Sequence, residues 1–222
     1  MRNWALALAL FAGALPAIAT AQAPAAAGTI RGTVGVEDAR GNALPLAEAV
    51  VFVEDFVEPF TSAQAPAMHQ VNKRFQPNLL VVSVGTPVAF PNDDPIDHNV
   101  FSVSPVKAFD LGLYSGGKAK TLTFERPGPI RIYCNIHPQM IADILVLPNR
   151  YFAVAGPDGR FTIPGVPAGP HRVRAWFARG PSAVRNANVD PGREESIAFR
   201  LVQTVVSENH LNKLGQPYPL QY

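Results

Sequence analysis

Within seven residues, Cys134-Asn135-Ile136-His137-Pro138-Gln139-Met140 offers a thiolate, an imidazole and a thioether. Upstream, Asp97-His98-Asn99 offers a second imidazole. Two His and one Cys, with a weak axial Met, form the ligand set of a blue-copper electron-transfer site. Cys134 is the only cysteine of the chain, and its three methionines are Met140, Met68 and the initiator. Cu(I) favours soft, low-coordinate ligands and Cu(II) favours nitrogen. A thiolate with two imidazoles suits both, so little has to move when one electron is exchanged.

Each of these residues has a structural alternative. A lone Cys is usually a small buried hydrophobe, and a lone Met fills core gaps. Cys134 and His137 could also form a nucleophile–base pair, but no oxyanion motif or third orienting group accompanies them, and an enzyme is not expected. A structural zinc site would use more Cys or His, and Met is not among the usual zinc ligands.

Four ligands on one ion need a rigid scaffold, and the chain reads as all-β. Short β-branched and aromatic runs alternate with Gly, Pro, Asn and Asp turns, and helical periodicity is almost absent. The 22 prolines mark turns and strand edges. Strands are expected over 29–37, 49–54, 79–84, 87–90, 99–103, 119–124, 129–133, 142–147, 151–154, 160–164, 171–177 and 195–202. Their spacing suits antiparallel sandwiches. Residues 207–222 lack a pattern and read as a docked or loose extension.

The first 21 residues read as a secretory signal. Arg2 opens it, a short apolar run from Ala5 to Leu15 follows, and Ala19-Thr20-Ala21 forms a small-residue cleavage pattern. The alternative is an uncleaved anchor, but the run is short for a span of about 20 residues. Cleavage after Ala21 would give an exported, periplasmic protein with no stable membrane span. A single Cys there cannot close an internal disulfide, and an oxidising compartment disfavours a bare thiol, which favours a ligand role. The formal net charge of +2 gives no case for nucleic-acid binding.

The segment 65–148 resembles a cupredoxin of the plastocyanin and amicyanin kind, including those labelled methylamine utilisation proteins. The resemblance runs through Phe75-Gln76-Pro77, residues 79–84 and Gly85-Thr86-Pro87-Val88-Ala89-Phe90. It continues through Asn92, His98-Asn99, Pro127-Gly128 and Ile130-Arg131-Ile132-Tyr133 to the loop 134–140. The order, one His alone and then Cys, His and Met together, is the family's, and the spacing is that of the short amicyanin loop. The resemblance implies a Greek-key sandwich holding one type 1 copper ion on His98, Cys134, His137 and Met140. It implies that Asn99 ties the two ligand-bearing loops together and that His137 is the electron port. The chain departs from the family at Ile136, where plastocyanins and amicyanin have Pro. Ile136 keeps its backbone N–H, and that donor could reach the Cys134 sulfur.

The flanks resemble a carboxypeptidase-regulatory-like, transthyretin-like sandwich in two halves. The first carries Ile30-Arg31-Gly32-Thr33-Val34 and residues 41–53, and the second Asp158-Gly159-Arg160-Phe161-Thr162-Ile163-Pro164 and residues 165–173. Neither half has enough strands to bury a core alone. The expected organisation is a signal (1–21), a tether (22–27), a first half-sandwich (28–64), the cupredoxin unit (65–148), a second half (149–203) and an extension (204–222). The competing arrangement is sequential, with a small C-terminal sandwich. Residues 22–65 have a charge balance of −4 and residues 149–202 one of +4, which would cancel on one folded unit. The expected role is single-electron transfer with a periplasmic redox partner such as a cytochrome or dehydrogenase. The alternative is copper storage or delivery. Of the remaining candidates, Met68-His69 could meet incoming copper, and Asp93, Asp94 and Asp97 could bind a cation or steer a partner. His171 and His210 read as exposed residues without a task.

Overall fold

The computed structural model describes residues 26–46, 48–61, 65–205 and 210–218. The signal-like segment and most of the expected tether lie outside them. The chain is all-β. In order, the strands are β1 (Ala27–Glu37), β2 (Ala43–Leu44), β3 (Ala49–Val53), β4 (His69–Val71), β5 (Arg74–Gln76), β6 (Leu79–Ser83), β7 (Thr86–Pro91), β8 (His98–Ser104) and β9 (Lys107–Tyr114). They continue as β10 (Ala119–Phe124), β11 (Gly128–Tyr133), β12 (Ile141–Leu147), β13 (Phe152–Val154), β14 (Arg160–Pro167), β15 (Gly169–Phe177), β16 (Ala183–Val189) and β17 (Glu194–Val202). Of the strands, β2, β4, β5, β9 and β16 were not anticipated from the sequence. The first strand also begins inside the expected tether, at Ala27.

Pairing separates the flanks from the middle. One flank sheet runs β14-β1-β17, with β2 on β1, and the other runs β13-β3-β15-β16. The middle forms the five-stranded sheet β6-β12-β11-β8-β9, the pair β10-β7 and the hairpin β4-β5. Among the described residues no sheet mixes the two groups. β1 runs parallel to β17, with Gly32 opposite Ile197. A Cβ on Gly32 would come within 1.6 Å of the Ile197 carbonyl oxygen, so the close approach of these strands requires glycine there.

Each group buries its own core. The flanks enclose Ile30, Val34, Val51, Val53, Phe161, Ile163, Val173, Phe177, Phe199 and Leu201. The middle encloses Met68, Phe75, Val88, Phe90, Phe124, Ile130, Ile132, Cys134, Met140, Ile144 and Val146. A third cluster joins them: Val50, Phe52 and Trp176 from the flanks meet Leu145 and Leu147 of β12. Side-chain alternation explains it. Ala49, Val51 and Val53 point into the flank core, while Val50 and Phe52 of the same strand point at the middle unit. Likewise, Ala142, Ile144 and Val146 face the middle core while Leu145 and Leu147 face the flanks. Burial on both faces is why β3 reads as an unbroken apolar run and β12 as one broken only by Asp143.

Candidate metal centre

β8 and β11 are antiparallel neighbours, with Tyr133 opposite Phe101. The start of β8 therefore lies beside the end of β11. That places His98, the first residue of β8, against Cys134, the residue after β11. The connection from β11 to β12 closes on itself: the Cys134 N–H donates to the Met140 carbonyl (3.2 Å) and the Met140 N–H to the His137 carbonyl (3.0 Å).

The structure brings His98, Cys134 and His137 together, with one ligand atom of each within 4.8 Å of the others. The two Nδ1 atoms are 3.0 Å apart, and Cys134 Sγ lies 3.7 Å from His137 Nδ1. A triangle of this size suits one ion at a reach of about 2.0–2.3 Å from nitrogen and sulfur. Cys134, Met140 and His98 are fully buried, and His137 keeps 7% exposure. Met140 packs in the same core cluster as Cys134 and Ile136. Burial pushes the Cys134 thiol up from its ordinary pKa, and the backbone N–H groups of Asn99, Ile136 and His137, bonded to the sulfur, act the other way. Burial and the neighbouring His98 hold the His137 imidazole below its usual value. It therefore stays neutral with a lone pair available, the form a metal needs. Two soft-to-borderline donors and a thiolate source, dry and aimed at one point, fit a copper ion.

The sequence reading did not single out Asp94 as a partner of His98. The three acids beside His98 do not act as one cluster. Asp94 is buried, and its carboxylate lies 2.7 Å from His98 Nε2. It also accepts the backbone N–H groups of Asn72 (2.6 Å) and Lys73 (2.8 Å). Those two residues turn the β4–β5 hairpin in left-handed conformation, φ 53° and 55°. The carboxylate thus supports a turn that residues other than Gly rarely adopt. Burial works to raise the Asp94 pKa, but the Lys73, His98 and Asn72 hydrogen bonds hold it below the usual carboxylate range. Asp94 on Nε2 leaves Nδ1 of His98 facing His137 Nδ1, 3.0 Å away. The only advance signal was its position four residues before His98.

Asn99 reaches the loop through its backbone rather than its side chain. Its side chain does not bridge to loop 134–140; it donates to Asp110 Oδ1 on β9 (2.6 Å). Its Oδ1 is buried without a partner among the described residues. It is the Asn99 backbone N–H that reaches the sulfur, as does that of Ile136. The remaining candidates are placed elsewhere. Met68 is core, and His69 pairs with Asp93 at the surface (2.6 Å). His171 is buried rather than exposed, with Asp55 on Nδ1 and the Pro167 carbonyl on Nε2. His210 stacks on Tyr133 with ring centroids 4.2 Å apart.

No family model matches the chain, and no curated protein matches it. Among solved structures, a copper-containing nitrite reductase from Thermus scotoductus SA-01 aligns at 24% identity over 42% of this chain, TM-score 0.37. The chain covers about a quarter of that enzyme (26%). A purple cupredoxin from Nitrosopumilus maritimus aligns at 24% identity over 36% of this chain and 98% of its own, TM-score 0.34. A variant of amicyanin in its Cu(I) form aligns at 23% identity over 43% of this chain and 97% of its own, TM-score 0.36.

Proposed function

We propose that this chain is an exported carrier of single electrons, with one type 1 copper ion held by His98, Cys134 and His137 and capped by Met140. The observation that carries the reading is the buried triangle of two imidazole nitrogens and one sulfur, closed off by a loop that hydrogen-bonds to itself. Copper bound there would alternate between Cu(I) and Cu(II), exchanging one electron at a time.

The protein's own residues explain why such exchange would be fast. Asp94 orients His98, and three backbone N–H groups hold the sulfur. The donors are therefore fixed before the metal arrives, and little rearranges with its charge. His137, the ligand with an exposed edge, is the proposed electron port for a periplasmic cytochrome or dehydrogenase. A brief redox encounter needs only a small interface. Residues 28–64 and 149–203 are proposed to form one split sandwich around the inserted copper unit, and residues 1–21 to direct export. The chain is not proposed to catalyse a reaction.

The test is the visible spectrum of the protein loaded with Cu(II). An intense thiolate-to-copper band near about 600 nm is expected for a His₂Cys site. A colourless product that retains zinc instead would sink the reading. A blue protein that surrenders copper readily to a chelator, with slow self-exchange, would favour storage or delivery over electron transfer.

A further inference from the structure

Residues 210–218 lie across the metal loop. The segment is shaped by its own turn: Asn212 Oδ1 accepts the N–H groups of Leu214 (2.9 Å) and Gln216 (3.0 Å), and Gly215 adopts φ 74°. Outside itself, the segment's hydrogen bonds, ion pair and ring contact among the described residues go to the loop, to Tyr133 at the end of β11 and to β9. Three hydrogen bonds go to the loop. The Tyr218 hydroxyl donates to the Cys134 carbonyl (2.7 Å), His210 Nε2 bonds the Pro138 carbonyl (2.8 Å), and the Lys213 N–H donates to Asn135 Oδ1 (2.9 Å). The His210 ring covers Tyr133, the residue before the cysteine. The other contact reaches β9, where Lys213 Nζ pairs with Asp110 Oδ2 (2.6 Å). The opposite oxygen of Asp110 takes the Asn99 side chain (2.6 Å).

The result is a continuous bridge, Asn135–Lys213–Asp110–Asn99, between the loop that carries Cys134, His137 and Met140 and the strand that carries His98. The Asn99 side chain does not reach the loop itself, although its backbone N–H bonds the Cys134 sulfur. The hold is mostly polar: Leu211 and Leu214 are 53% and 73% exposed, so little apolar burial anchors the segment. Segments held this way open at low cost while the core stays folded.

We propose that residues 210–218 are a built-in strap that clamps the metal loop to the β8–β9 hairpin and sets how fast metal and small reagents reach Cys134. His210, Lys213 and Tyr218 are its positioning residues. The metal half of the proposal rests on the copper reading; the clamping of the loop does not.

The experiment compares the full chain with Tyr218→Phe, Lys213→Met and a chain ending at Val205. Alkylation of Cys134 by iodoacetamide and hydrogen exchange of the amides of 134–140 are followed in the metal-free proteins. Transfer of Cu(I) to a bathocuproine chelator is followed in the loaded ones. Both metal-free rates should rise roughly tenfold in the shortened chain and about threefold in each point variant, with Cu(I) release in the same order. Rates within about twofold of the full chain in every variant would overturn the strap. Should the shortened chain lose its β circular dichroism, the point variants decide. A full chain that takes up no copper overturns the copper reading, while alkylation still decides the strap.

Discussion

Ile136 shows how one backbone atom can tune a site. Its N–H is one of three that reach the Cys134 sulfur. A hydrogen bond to a thiolate withdraws electron density, so it weakens donation to the metal and raises the potential. Ile136→Pro removes the donor and should lower the reduction potential of the loaded protein, read by redox titration. Ile136→Ala keeps the N–H and controls for the lost packing. An unchanged potential in the proline variant would refute the role. Asp94 acts on the other side, through His98. Asp94→Ala should weaken copper affinity by about 10–100-fold, the usual cost of removing a carboxylate behind a metal-bound imidazole. Affinity within about twofold of the parent, by competition with a chelator, would show that His98 is oriented by something else. These two residues differ in how they could be read beforehand. Cys134, His137 and Met140 share seven residues, so their spacing is itself a pattern. Asp94 became a partner of His98 only when the β4–β5 hairpin and the turn before β8 closed on one carboxylate. Tyr218 and His210 lie more than seventy residues from the loop they touch, and nothing local marks them.

The turn that carries Asp94 is itself positioned by an element the sequence hid. It packs against the β9–β10 connection, where a Cβ on Gly116 would come within 2.0 Å of the Asp94 carbonyl oxygen. Backbone against backbone cannot yield by a rotamer change, so Gly116→Ala must displace the turn. The expected outcome is a folded protein with copper affinity reduced about as far as in Asp94→Ala, because both changes withdraw the same carboxylate. Retained affinity with an unshifted His98 imidazole resonance would contradict this. Strands built from β-branched and apolar residues between turn signals were legible: the segments expected at 119–124, 129–133 and 142–147 coincide with β10, β11 and β12 to within one residue at either end. β9 was not, since Asp110 and Gly112 interrupt its run and both are poor strand formers. Yet those residues serve the site, Asp110 by accepting from Asn99 and from the Gly112 N–H. β16, with Arg185, Asn186 and Asn188 in seven residues, was masked by the same weak propensity, which a sheet edge tolerates.

At the scale of the molecule, charge and apolar alternation work together. The acidic first flank meets the basic second one in Arg172–Glu54, Arg174–Glu54, Arg200–Glu37 and Arg150–Glu58, and Arg31–Glu194 joins them with the charges reversed. Two of these pairs are exposed on both partners and the other three rest on a partly buried Glu54 or Glu37; exposed pairs of this kind set register and pairing more than stability. Adhesion between the two cores falls instead to the third cluster, where Leu147 of β12 is fully buried among Phe52, Leu145 and Trp176. Two cores that share a buried interface should unfold together; two that lose it should unfold separately. Leu147→Ala removes a side chain from that interface alone and should cost about 2–5 kcal/mol. In scanning calorimetry the parent should give one transition. The variant should give two, and copper should raise only the one belonging to the middle unit, because a ligand stabilises the unit that binds it. A single transition that copper still shifts as a whole would mean that the chain connections themselves, at 53–69 and 147–152, couple the units without help from the apolar contact. The metal centre would then be insulated from the state of that interface. If two transitions appear, any partner that loosens the flanking sandwich would also loosen β12, and with it the strand on which loop 134–140 ends.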